Sequence, residues 1–306
     1  MKHWLHAFRL RTLPLAVSSI IVGSALAVWL SMNLYSTRIF FEPLVLVLAL
    51  LTAILLQVLS NLANDLGDHL HGTDNADRVG PQRAVQSGAI PPAAMKRGMM
   101  ICGALAFLSG CALITTALGL SITMLIFLLI GLAAIGAAVK YTFGKNPYGY
   151  AGLGDVSVFL FFGIVGVCGT FFLHTRLPFL LTYILLPAVA FGLLSAGVLN
   201  VNNMRDIVND GASGKRTLVV RMGSAKAKIY HSMLVVGGIL CLVFFTLQST
   251  ASWPRWLFLL VVPGFVVHLK RVWTTKEPRD LDPQLKVLAM GTFFTALLFS
   301  LGLILA

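Results

Sequence analysis

Asn61-Leu62-Ala63-Asn64-Asp65-Leu66-Gly67-Asp68 follows directly on Leu44–Ser60, a run that is almost entirely apolar. If the helix of that run continues, Asn64 and Asp68 are spaced i,i+4 and share one face. Asn61 and Asp65 form a second such pair. Asp74 and Asp77 come shortly after. Carboxylates beside hydrocarbon are costly, and they are kept for an ion, a proton or a substrate.

The composition says where this helix lives. The chain has 306 residues, 58% hydrophobic and 11% charged, with a mean hydropathy of +0.87. Soluble domains carry about 25% charged residues, so this chain lacks the polar surface to cover a soluble globule. A membrane span takes roughly 20 residues of apolar helix. Nine such spans can be placed, near 13–30, 43–60, 99–118, 121–139, 153–173, 179–199, 229–247, 255–272 and 285–305. The expected fold is an all-α polytopic membrane protein, one transmembrane domain over residues 1–306. Cys102, Cys111, Cys168 and Cys241 all fall inside apolar runs and read as packing residues. The run at Leu13–Leu30 is too long for a signal-peptide core and reads as a retained first span.

The net charge of +12 does not point to nucleic acid. With the N-terminus in the cytoplasm, nine spans put 20 of the 23 basic residues on the cytoplasmic side and leave Arg38, Arg176 and Arg255 outside. That is the positive-inside pattern, and it places the C-terminus opposite. All the acids except Glu42 fall on the cytoplasmic face too. The positive-inside rule does not ask for that, so something on that face needs carboxylates.

Both long loops, 61–97 and 200–228, lie there. The second opens Asn200-Val-Asn202-Asn203-Met-Arg205-Asp206-Ile-Val-Asn209-Asp210. Asp206 and Asp210 are again i,i+4, and Asn202 joins their face if the helix runs on. Each loop then turns basic between glycines, Gly80-Pro-Gln-Arg83-Ala-Val-Gln86-Ser-Gly88 and Gly214-Lys215-Arg216-Thr-Leu-Val-Val-Arg221-Met-Gly223. Each follows an even-numbered span, four spans apart, which suggests an internal repeat of roughly four helices.

Oxygen ligands without Cys or His select a hard cation, Mg²⁺ by default, which tends to share its shell with substrate phosphates. Arg and Lys nearby supply charge-assisted hydrogen bonds to phosphate oxygens. Together, at the edge of an apolar bundle, they describe a site for a lipid-linked diphosphate. The plainer alternative is that these acids are solvated loop carboxylates balancing neighbouring arginines, but two clusters of matching spacing and context weigh against it. Asp74 reads equally well as turn chemistry in Gly72-Thr-Asp74-Asn75. Asp155 opens the apolar run Val156–Phe172 and either orients or deprotonates a substrate or caps a helix. Tyr141, Tyr148 and Tyr150 read as an interfacial belt. Lys145 is a phosphate contact or an orientation signal, and so are Arg9 and Arg11. A secondary transporter is the alternative of another class, but its polar residues would sit at mid-membrane, not at the span ends.

Asn64-Asp65-x-x-Asp68 after the second span and Asp206-x-x-x-Asp210 after the sixth resemble the two aspartate-rich motifs of the UbiA superfamily of intramembrane prenyltransferases. Three stretches are similar to its menaquinone branch: Arg11-Thr-Leu-Pro14, Arg78-Val-Gly-Pro-Gln-Arg83-Ala-Val-Gln86-Ser-Gly88, and Asn200-Val-Asn-Asn-Met-Arg205-Asp206 followed by Gly214-Lys215-x-Thr217-Leu-Val-Val-Arg221. One departure is that Gly72 stands where the general first motif has its next acid; the branch form fits the spacing to Asp74. The resemblance implies a UbiA-type bundle of nine helices in a bacterial inner membrane, its site facing the cytoplasm. It implies Mg²⁺ held by Asn64, Asp65, Asp68, Asp206 and Asp210, with a polyprenyl diphosphate gripped by Arg83, Lys145, Arg205 and Lys215. Asp68 and Asp206 would be catalytic through the metal, and Asp155 through the aromatic acceptor, 1,4-dihydroxy-2-naphthoate. Arg11, Gln86, Tyr141 and Asn202 complete the expected substrate contacts. Another acceptor, such as 4-hydroxybenzoate, is the alternative within the superfamily.

Overall fold

The computed structural model describes residues 2–34, 40–75, 79–177, 181–248 and 252–306. Arg38, Asp77 and Arg78 lie outside the described residues. In chain order the helices are α1 (Lys2–Phe8), α2 (Leu13–Leu34), α3 (Pro43–Leu70), α4 (Pro92–Leu118), α5 (Ile122–Lys140), α6 (Gly154–Val158), α7 (Thr170–Thr175), α8 (Leu181–Arg205), α9 (Ile207–Ala212), α10 (Leu218–Gln248), α11 (Val262–Thr274) and α12 (Asp282–Leu305). A π-helix, Phe159–Gly169, joins α6 to α7. Among the described residues, nine helical segments are long and apolar enough to cross a membrane.

The expected spans are found, with boundaries that shift for physical reasons. α3 runs ten residues past the expected end at Ser60, so the acidic stretch is itself helical. It can do so because Leu62, Ala63 and Leu66 remain buried against Met95, Met99 and Cys102 of α4. The sixth span likewise continues to Arg205. The expected continuous helix through Asp206 and Asp210 does not form. Asp206 leaves helical geometry at φ −94° and ψ 6°, and the short α9 begins after it.

α8 packs on α10, α12 and the π-helix, while α12 also packs on α2 and α3 on α4; among the described spans, α8 and α2 are the most buried. α5 has no buried residue; its Leu125, Ile126 and Leu129 are exposed, as expected of a helix facing lipid.

Close backbone approach seats the π-helix. A Cβ on Gly163 would sit 2.5 Å from the Ala188 carbonyl oxygen and 2.8 Å from Gly192 Cα of α8. On the other flank, Ser19 of α2 donates its hydroxyl to the Phe162 carbonyl at 2.5 Å. Wide helical turns leave carbonyls poorly satisfied inside a bilayer, and a neighbouring hydroxyl is a common remedy. Gly163→Val should therefore separate the π-helix from α8 and lower the melting temperature in detergent by several degrees, as overpacking by about 1–3 kcal/mol does. Gly136→Ala on α5, where an added Cβ meets nothing within 4 Å, should leave it unchanged or higher.

Candidate active site

The first acidic motif works through its loop. Arg83 folds back over the end of α3, with Nη1 2.8 Å from Asp68 Oδ2 and Nε 3.2 Å from Asp74 Oδ2. Its Nη1 also donates to the Asn64 carbonyl, two turns before the end of α3. Burial works against the charge of Arg83, but the Asp68 and Asp74 carboxylates outweigh it and raise its pKa. Tyr150 donates its hydroxyl to Asp68 Oδ1 at 2.8 Å.

The second motif meets the first across the bundle. Lys215 Nζ stands 3.8 Å from Asp68 Oδ1 and 3.5 Å from Asp210 Oδ1, and 5.4 Å from the centre of the Tyr150 ring. Asn209 donates to the Thr73 carbonyl at 2.9 Å. Arg205 grips Asp206 with Nε at 2.8 Å and Nη2 at 2.6 Å. Burial pushes the Asp210 carboxyl up to about 6; Lys215 opposes the rise, and the Asp206 and Asp68 carboxylates add to it.

These groups form the head of a cavity of about 410 Å³. Five cations (Arg9, Arg11, Arg83, Arg205, Lys215) and three carboxylates (Asp68, Asp206, Asp210) line it. The walls below are apolar, from Leu56 and Ala53 down to Ala49, Ile114, Phe127 and Leu173. Along α3, Ala49 to Asp68 spans roughly 28 Å of helix, close to the thickness of a hydrocarbon core. The π-helix contributes Phe161, Phe162, Val165, Gly166 and Gly169 to one wall. Tyr141 and Tyr148 stand near the head with ring centroids 5.4 Å apart. Burial, and after it the Asp155 carboxylate, raises the Tyr141 phenol well above its usual value, so it stays neutral.

The donor set suits a hard cation. Asn64 Oδ1 and Asp210 Oδ2 line the cavity and are buried without a hydrogen-bond partner. Orphaned acceptor oxygens on both motifs fit Mg²⁺ chemistry. Among the described residues no three His, Cys, Asp or Glu side chains are gathered tightly enough to hold an ion by themselves, because Arg83, Arg205 and Lys215 stand between the carboxylates.

The expected site residues divide into two groups. Asn64, Asp68, Arg83, Tyr141, Asn202, Arg205, Asp206, Asp210, Lys215 and Arg11 all line the cavity. Asp65, Gln86, Lys145 and Asp155 do not. Asp65 accepts the backbone N–H of Ala84 and of Val85, each at 3.1 Å. Gln86 donates to the Asn75 carbonyl at 2.7 Å and accepts from the Arg83 amide. Lys145 is exposed, and only its carbonyl is engaged, by Lys140 Nζ. Asp155 is buried beside α8 and accepts a hydrogen bond from Tyr230 of α10. The first two shape the loop that carries Arg83; Asp155 lies outside the cavity lining, close enough to Tyr141, which lines it, to act on its phenol.

Arg9 and Thr73, which line the cavity, and Tyr150, which holds Asp68, were read from the sequence only weakly or not at all, Arg9 as a phosphate contact or an orientation signal. Arg9 lines the head from a left-handed backbone (φ 50°, ψ 60°) between α1 and α2, a conformation that costs a non-glycine residue about 1–3 kcal/mol. Tyr150 looked like one of three interfacial tyrosines. Thr73, hydrogen-bonded to Tyr150 at 2.5 Å, sits in a turn.

A membrane-buried cavity under a head of mixed cations and carboxylates defines an intramembrane protein for an amphipathic substrate with an anionic head. The match to known proteins is specific. Residues 16–304 match the UbiA prenyltransferase family. The chain is 46% identical over 305 residues to the 1,4-dihydroxy-2-naphthoate octaprenyltransferase of Escherichia coli (strain K12), covering 99% of this chain and 95% of that one. It is 44% identical to the protein of the same name from Haemophilus influenzae, over 99% and 96%. A UbiA homologue from Archaeoglobus fulgidus, solved bound to DMAPP and Mg²⁺, superposes with a TM-score of 0.65 at 14% identity, over 97% of this chain and 99% of that one. The chain belongs to the UbiA prenyltransferase family.

The geometry separates Asp65 from its neighbours. In Asp65→Asn the side chain loses one of two acceptors for the loop amides, so hydrogen exchange at Ala84 and Val85 should accelerate about 10-fold or more. The Mg²⁺ concentration for half-maximal activity should stay within about twofold, since one tenfold step is about 1.4 kcal/mol. A large rise would return Asp65 to the ligand set.

Proposed function

We propose that residues 1–306 form one catalytic domain that transfers a polyprenyl group from an all-trans polyprenyl diphosphate to 1,4-dihydroxy-2-naphthoate in a bacterial inner membrane. The products are the reduced, quinol form of demethylmenaquinone, CO₂ and diphosphate. The observation that carries this reading is the meeting of both acidic motifs and three cations at the head of one apolar cavity, in a chain close to relatives named for that reaction. The basic loops favour an N-terminus and a site on the cytoplasmic side.

Asn64, Asp68, Asp206 and Asp210 would hold Mg²⁺, which when bound draws charge from the leaving diphosphate. Arg83, Arg205 and Lys215 take its remaining oxygens by charge-assisted hydrogen bonds. The prenyl chain lies along the apolar walls, which exclude water from the reacting allylic carbon. The bond from that carbon to the diphosphate oxygen breaks with its electron pair leaving on oxygen. The electron-rich naphthoate ring supplies the pair for the new carbon–carbon bond, and the pair of the carboxylate bond returns to the ring as CO₂ departs. Arg11 and Asn202, which line the cavity, would bind polar groups of the acceptor, and Tyr141 would pack against its ring.

Purified protein in detergent, with Mg²⁺, a polyprenyl diphosphate and a panel of aromatic acids, should prenylate 1,4-dihydroxy-2-naphthoate and lose activity on chelation. Asp68→Ala and Asp206→Ala should each lower kcat/KM by about 100-fold or more, the scale of losing electrostatic stabilisation of a transition state. Asp155→Asn should stay within about 10-fold, for want of contact with the cavity. Product from 4-hydroxybenzoate alone would replace the acceptor and keep the chemistry; no product with any acid would overturn both.

A further inference from the structure

In this structure each cavity carboxylate is paired with a cation that the diphosphate also needs. Arg205 is the most constrained of these. It is 2% exposed, and it binds Asp206 through two nitrogens, Asn202 Oδ1 through Nη2 at 3.1 Å, and Asp282 Oδ1 through Nη1 at 2.5 Å. Asp282 lies 77 residues away in sequence, in the first turn of α12. It is 38% exposed on its side chain, and the helix N-terminus favours its negative charge. Asp206 is 12% exposed and lines the cavity; Asp282 does not line it.

Resting on the metal–diphosphate reading, we propose that Asp282 is a positioning residue that keeps Arg205 neutralised when Asp206 turns to the metal, so that the site loads by exchanging partners. A buried guanidinium stripped of its only carboxylate is strongly unfavourable. With Asp282 in place, Arg205 never reaches that state. Asp206 is released to the cation, and the N–H groups it vacates face the diphosphate. The same exchange applies to Lys215, which stands between Asp68 and Asp210. Magnesium alone must still part Asp68 and Asp210 from Lys215 and leave the vacated Arg205 N–H groups unfilled, and diphosphate alone must leave the displaced carboxylates without a cation. Bound together they satisfy both halves, so each should raise the affinity of the other, by equal factors.

The test is calorimetric titration of the full chain in detergent with MgCl₂ and inorganic diphosphate, separately and together. In the unaltered protein, saturating diphosphate should tighten Mg²⁺ binding about 10-fold or more, a coupling of about 1.4 kcal/mol. Asp282→Asn should raise the Mg²⁺ concentration for half-saturation about 10-fold and leave diphosphate binding without Mg²⁺ unchanged or tighter. Asp282→Glu should recover most of the loss, which also covers the case in which the Asn variant folds poorly. In an Arg205→Gln background, Asp282→Asn should add nothing. An Asp282→Asn protein with unchanged Mg²⁺ affinity overturns the proposal. So does an equal shift in the Arg205→Gln background, which would reduce Asp282 to a distant charge. Coupled binding without prenyl transfer to any acceptor would overturn the proposed function and leave this inference standing.

Discussion

Asp68 is 1% exposed at the end of an apolar helix, and Arg83 at 2.8 Å makes that placement tolerable. The ion pair cannot be read as a gain in stability by itself, since desolvating two charges offsets much of their attraction. What it does is determine the path of the chain. Arg83 reaches Asp68 only if the loop after α3 turns back over the helix end. Asp65 makes that turn hold by accepting the amides of Ala84 and Val85. Arg83 Nε faces Asp74, and the Nη1 that meets Asp68 also donates to the Asn64 carbonyl. One buried charge thus accounts for the course of the loop and the location of a cation at the cavity head.

The same constraint ties the head of the site to the bundle below it. Gly67 lets the Thr142 backbone pass against α3, where a Cβ would lie 2.5 Å from the Thr142 carbonyl oxygen. Thr142 in turn donates its hydroxyl to the Ala63 carbonyl at 3.1 Å. That crossing brings the segment carrying Tyr141, Tyr148 and Tyr150 onto the end of α3, so a tyrosine hydroxyl can reach Asp68. Electrostatic forces at the head are strong because the walls are apolar and the charges are buried. The cavity therefore joins two environments that a soluble enzyme would have to build separately: a dry channel for a chain and a charged seat for its head.

Much of this was legible in the sequence because it rests on local periodicity. Spans announce themselves by length and hydropathy, and Asn64 with Asp68 share a face because α3 stays helical. The rest depends on partners far apart in the chain. Nothing near Asp65 says that its oxygens are taken by amides 19 and 20 residues later. Tyr150 meets Asp68 across 82 residues and Arg205 meets Asp282 across 77. Asp155 is a related case: a lone acid opening an apolar run looks functional, and nothing near it in sequence announces its partner Tyr230 on α10. The break at Asp206 was equally hidden, since an i,i+4 spacing survives a kink between its two members: the Asp210 amide still bonds to the Asp206 carbonyl at 2.8 Å.

That break makes the two acidic motifs unequal. Asn64 and Asp68 ride on an unbroken helix, and their cation arrives from a separate loop anchored at several points. Asp206 stands at a helix junction, paired with the residue before it, its backbone outside helical geometry. A carboxylate on a rigid helix can define where a cation sits. A carboxylate at a junction can move toward it with little disturbance to the packed bundle, since only the short α9 follows. The Asn61–Asp68 stretch is the fixed jaw of the site. Asp206, with Arg205 tethered to α12 behind it, has the construction of the moving one.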